Sequence, residues 1–96
     1  MIDKLGDQGA KIKEELSAID VNIELEGVSV HGNAAGELKD INISEALFEE
    51  GDKEKIEDLL LTVITQYNDR VGDESAKLSK KMLNDMLGGG FGNLFG

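Results

Sequence analysis

Ninety-six residues suffice for one domain and bury only a limited share of their surface on folding, so a second copy of the chain is an expected source of further burial. Twenty acidic against 10 basic side chains give a formal net charge of -10, which opposes non-specific attraction to phosphate backbones, and four aromatics are too few for a single-strand stacking platform. With no cysteine there is neither a disulfide framework nor a thiolate metal site, and with no apolar N-terminal stretch the chain reads as a cytoplasmic protein without membrane contact.

Ile2, Leu5, Ile12, Leu16 and Ile19 recur at roughly helical spacing, with Lys4, Lys11, Lys13, Glu14 and Glu15 between them, which predicts an N-terminal helix. Gly6 and Gly9 each cost about 1 kcal/mol relative to alanine in a helix interior, so the helix is expected to be firm only from Ala10 to Ala18. The period then changes to two. Val21, Ile23 and Leu25 alternate with Asn22, Glu24 and Glu26, the pattern of a half-buried strand. Val28 and Val30 resume the apolar face after Gly27, which marks either a bulge or a tight connection between two strands. The run from Gly32 to Gly36 tolerates positive φ and precedes a β-rich segment, Leu38 to Ile43, as in a hairpin. Leu38 is out of phase with Ile41 and Ile43, which points to an irregularity near Lys39.

Ser44 caps a short turn holding Ala46, Leu47 and Phe48, and Glu49-Glu50-Gly51 breaks it. Asp52 is the stronger cap, because it precedes Ile56, Leu59, Leu60, Val63, Ile64, Tyr67, Val71, Leu78, Met82 and Met86, one apolar stripe of three- and four-residue spacings. Some 35 residues at about 1.5 Å each span roughly 50 Å, about twice the diameter of a compact domain of this size, so the far half should project. Leu78, Met82 and Met86 lie beyond the reach of a small sheet and should be covered by a second subunit. Gly72 is expected to loosen the helix midway and Gly88-Gly89-Gly90 to end it. That divides the chain into one domain, residues 1–87, and a flexible glycine-rich tail, residues 88–96, holding Phe91, Leu94 and Phe95. The fold class is α+β: an N-terminal helix, an antiparallel sheet of two or three strands, and a long C-terminal helix.

Catalytic chemistry finds no support. His31, the single histidine, has no serine, cysteine or second ligand that the sequence can place beside it, and reads as a turn residue. Glu49, Glu50, Asp52 and Glu54 lack the ligand spacing of a calcium loop and suit a helix start. Glu57 and Asp58 meet no base, nucleophile or enclosed pocket, and neither glycine run has the lysine and following helix of a phosphate loop. No enzyme activity, cofactor or metal is expected. The basic residues are better grouped: Lys77, Lys80 and Lys81 lie within about one and a half turns on the outer long helix, Arg70 stands two turns earlier, and Lys4, Lys11 and Lys13 decorate the first helix. Two readings follow, positive potential concentrated on projecting arms, or solvated faces paired with Asp73, Glu74 and Asp85.

The stretch VSVHGN, then LKDINIS, Leu47 and DKEKIEDLLLTVITQYNDRV, resembles the YbaB/EbfC family of small bacterial nucleoid-associated proteins. With the preceding helical segment and the glycine-rich, aromatic-ended tail, the resemblance covers most of the chain. It implies a homodimer with a helix, a three-stranded antiparallel sheet and a long helix in each subunit, the helices forming projecting arms. It also implies duplex DNA bound through backbone electrostatics with little sequence preference. On that pattern Lys77, Lys80, Lys81, Arg70, Lys4, Lys11 and Lys13 would contact phosphates. The alternative is an acidic dimeric protein-protein interaction module of the same fold with weak or no DNA binding, engaging protein partners through the outer stripe or the Phe91 to Phe95 tail.

Overall fold

The computed structural model describes residues 11–95, so Lys4 and the expected helical positions Ile2, Leu5 and Ala10 lie outside the described residues. Helix α1 (residues 11–17) closes with tight bonds from the Ala18 and Ile19 amides to the Glu15 and Leu16 carbonyls. The Ala34 amide then donates to the carbonyls of both Leu16 and Ile19, at 3.1 and 2.9 Å, which fastens the end of α1 to the sheet.

Three strands, β1 (Asp20–Leu25), β2 (Val28–Asn33) and β3 (Leu38–Ile43), form one antiparallel sheet in the order β1-β2-β3. Gly27 is a tight connection and not a bulge. Leu25 pairs with Val28, and Glu26 (φ 48°) and Gly27 (φ 97°) both take the left-handed conformation that a two-residue hairpin turn needs to match strand twist. The first strand is therefore complete. Between β2 and β3 the register shifts: His31 faces Asp40 and Gly32 faces Leu38, so Lys39 is the additional residue that the phase of Leu38 indicates. His31 does not lie in a turn, because Gly32 and Asn33 continue the ladder to Val21 and Asp20 and carry β2 past it.

Helix α2 (Glu45–Glu50) starts at Ser44, whose hydroxyl accepts from the Leu47 amide at 3.2 Å, and stops at Gly51 in the left-handed conformation. Asp52 then caps α3 (Lys53–Phe95) by accepting from the Lys55 amide at 3.1 Å. Leu59, Val63 and Tyr67, at four-residue intervals, turn one face of α3 onto β1 and β2. They bury Val21, Val28 and Val30, while Leu16, Ala34 and Leu47 complete the core. The cover stops short of β3, whose Ile41 remains 52 % exposed. Helix α3 runs for 43 residues and passes through Gly88-Gly89-Gly90, the expected end, to Phe95. A glycine costs about 1 kcal/mol in a helix because of its entropy, but helical dihedrals remain open to it, and no proline interrupts the run. The molecule is accordingly elongated, 59 × 34 × 16 Å, with the far half of α3 projecting as expected.

Candidate nucleic-acid interface

One buried contact ties the sheet to α3 at the point where the helix leaves the body. Tyr67, 2 % exposed, donates its hydroxyl to the Asn33 carbonyl at 2.7 Å, across a sequence separation of 34. Asn33 is itself buried, and its side-chain oxygen accepts from the Ala35 and Glu37 amides at 3.0 and 3.2 Å while its amide donates to Glu37 Oε1 at 2.8 Å. That amide bond is the main reason the Glu37 carboxyl is held below its usual range, with the positive charges of Lys13 and Lys39 adding to it. Burial pushes the Tyr67 hydroxyl up, the bond to Asn33 only partly offsetting it. Gly32 leaves just enough room: a Cβ there would stand 2.5 Å from the Tyr67 hydroxyl and closer still to the Glu37 carbonyl oxygen. Sheet, turn and α3 are thus locked where the arm begins.

Beyond that lock the cations are exposed. Arg70, Lys77 and Lys81 fall at i, i+7 and i+11, one stripe along the helix, and Lys80 stands beside it. Lys81 and Lys11 share an open groove of about 480 Å³ between α1 and outer α3, with Ile12, Leu78 and Met82 on its apolar side and Glu15 and Asp85 also lining it. So α1 brings one of its lysines to the arm. Lys13 does not line that groove and acts toward Glu37 instead. Of the expected counter-ions, Glu74 is engaged, 3.7 Å from Arg70 and 3.6 Å from Lys77. Neither Asp73 nor Asp85 forms an ion pair among the described residues. The overall acidity is unevenly spread: residues 18–68 hold twelve acidic and three basic side chains, residues 69–96 four of each. The arm is near neutral while the body carries the negative charge.

Leu78 and Met82 are half-buried within the chain, whereas Met86 is 77 % exposed. Leu83 and Leu87 add to the apolar surface around Met86, and Leu38, Ile41, Phe48 and Leu61 are exposed on the body. Sequence periodicity missed Leu83 and Leu87 because they stand off the stripe that packs on the sheet. Ile41 was missed because alternation predicts which face a residue takes, not whether a helix covers that part of the face.

Elsewhere, His31 lies between Asp20 and Asp40, at 3.6 and 3.3 Å, on the open face of the sheet. Among the described residues no group of three or more histidine, cysteine or acidic side chains is arranged to hold a metal, and no helix is long and apolar enough to cross a membrane.

The sequence model of the YbaB/EbfC DNA-binding family matches residues 1–86. No curated protein matches. Among solved structures, the chain is similar to the crystal structure of the uncharacterized protein HP0035 from Helicobacter pylori, with 25% identity and a TM-score of 0.73 over 86% of this chain and 89% of that one.

Proposed function

We propose, on the premise that this chain belongs to the YbaB/EbfC DNA-binding family, that it is a nucleoid-associated homodimer in the cytoplasm whose α3 arms hold duplex DNA by backbone electrostatics with little sequence preference. The observation that carries this reading is the separation of charge: Arg70, Lys77, Lys80 and Lys81 are exposed on a near-neutral arm that extends away from the acidic body. From Arg70 to Lys81 the stripe runs about 16 Å at 1.5 Å per residue, a length of duplex that presents about ten phosphates at one per 1.7 Å. Contacts of that kind need no particular base. Lys11 joins the same surface through the α1 groove, and Lys13 and Lys4 contribute long-range field.

The homodimer would cover Met86 with its apolar neighbours, and Leu78 and Met82 where α1 leaves them half-open. Sedimentation at micromolar concentration should give twice the 10.4 kDa chain mass, and a pure monomer would refute the pairing. The domain proper is residues 1–87, and residues 88–96 are its glycine-rich extension, along which α3 continues to Phe95. DNA binding is tested by an anisotropy titration of a short duplex against salt, using the wild type and a chain with Lys77, Lys80 and Lys81 all replaced by alanine. Weaker binding and a flatter salt dependence in the variant are expected.

One observation favours a second reading, an acidic dimeric interaction module with weak or no DNA binding: the arm end is apolar as well as basic, with Leu83, Met86 and Leu87 exposed. Pull-down with the full chain and with residues 88–96 removed separates the two, since loss of protein partners on truncation favours docking by the tail.

A further inference from the structure

The row of arm cations has an acid within it. Glu74 is four residues after Arg70 and three before Lys77, and one of its oxygens, Oε1, faces both, 3.7 Å from Arg70 Nε and 3.6 Å from Lys77 Nζ. The Glu74 side chain is only 18% exposed while Arg70 and Lys77 are 55% and 73% exposed, so the acid sits at the root of the pair and the cationic stems reach across it. Asp73 has the same charge one position away, yet it is exposed and joins no ion pair among the described residues. Lys80 and Lys81 also have no carboxylate partner among the described residues.

We propose that Glu74 acts as an internal stand-in for phosphate that sets how tightly the arm holds DNA. The proposal rests on the DNA-binding reading given above. Guanidinium and ammonium groups donate charge-assisted hydrogen bonds to carboxylate oxygens and to phosphate oxygens alike. A phosphate approaching Arg70 or Lys77 therefore competes with Oε1, which holds both as ion pairs, for the same positive charges. Exposed ion pairs of this kind are weak, so a duplex can displace the carboxylate, but each displacement subtracts from the gain of the new contact. Lys80 and Lys81 carry no such handicap and make the first contacts. Arg70 and Lys77 join only after Glu74 is displaced, which keeps the hold on DNA loose and its salt slope shallower than four free cations per arm would give.

The test compares the full-length wild type with Glu74→Gln and Asp73→Asn in anisotropy titrations of a short duplex at several salt concentrations. Glutamine keeps the length and helix propensity of glutamate, so the fold is retained, and circular dichroism checks this. Glu74→Gln should bind roughly five- to tenfold tighter at low salt, with a log-log salt slope steeper by about two to four, because up to two more cations on each of the dimer's two arms meet phosphate. Asp73→Asn, the same change in net charge, should gain about twofold or less through the long-range field alone. A second arm replaces Arg70 and Lys77 together with alanine in both backgrounds. The loss should be small where Glu74 is native and large in the Glu74→Gln chain, a non-additivity that a general charge effect would not produce. If the wild type binds through its lysines but Glu74→Gln gains no more than Asp73→Asn, this role for Glu74 is overturned and the DNA-binding reading stands. If no variant binds even at low salt, both are overturned together.

Discussion

Replacing Tyr67 with phenylalanine removes one oxygen from the place where arm and sheet are joined. The hydroxyl donates to the Asn33 carbonyl at 2.7 Å in a site where both residues are buried. No cavity opens, since the ring remains. The carbonyl also keeps a second donor, the Gly36 amide at 3.2 Å, so it is not left wholly unpaired. The cost therefore falls near the lower end of the range for a lost buried hydrogen bond, about 1 kcal/mol, which in a domain of this size lowers Tm by about 4–8 °C. Alkaline pH provides a second check. Burial raises the Tyr67 hydroxyl above its usual 10.0, so the folded state favours the protonated form. That contribution is complete below the unfolded value and is lost as pH rises through the folded one. Tyr67 is the single tyrosine, so the phenylalanine chain has no such loss. Urea unfolding of both chains at matched concentration, near neutrality and again above the usual tyrosine range, should show the wild type ahead first and its lead narrowing as pH rises. Equal stability near neutrality, or a lead that widens with pH, would refute the role given to this contact.

Gly32→Ala should be the more damaging change, about 2–3 kcal/mol in urea unfolding, because the new Cβ meets the Glu37 carbonyl and stands 3.0 Å from Leu38 Cα, backbone atoms that cannot rotate away. On the acid side, the Glu37 carboxyl is depressed below its usual 4.5, so its contribution is present above that value and is lost as pH falls through the folded one. Glu37→Gln should accordingly lose less stability than the wild type over an acid titration followed by circular dichroism. Removing residues 88–96 should leave Tm nearly unchanged, since a glycine-rich helical end adds little to stability; a drop of about 5 °C or more would show that the segment packs against the domain.

The course of the chain was largely legible from periodicity and turn residues. The change from helical spacing to alternation at Val21, the phase slip at Leu38 and the caps at Ser44 and Asp52 all correspond to observed features. These signals are local, carried by neighbours within a few residues. The Asn33 to Tyr67 bond is not local, and nothing in either residue's surroundings announces a partner 34 positions away. The Gly88 helix end failed because a propensity is a modest bias, and a helix already under way can absorb three unfavourable residues. On the arm, the cationic cluster was plain from Lys77, Lys80 and Lys81, and so were three acids able to pair with it. Choosing Glu74 among them required the side-chain geometry.

Most direct of all is the salt dependence of duplex binding by the intact protein. If a dimer places Lys80 and Lys81 from both subunits on phosphates, with Lys77 joining in part, about four to six contacts give a log-log slope of about −4 to −5, and affinity falls by roughly 250- to 1000-fold between 50 and 200 mM salt. Replacing Lys77, Lys80 and Lys81 with alanine should weaken binding and flatten the slope to what Arg70 and the α1 lysines leave. Absence of wild-type binding at about 50 mM salt, or a slope that the three substitutions leave unchanged, would contradict DNA recognition by the α3 arms.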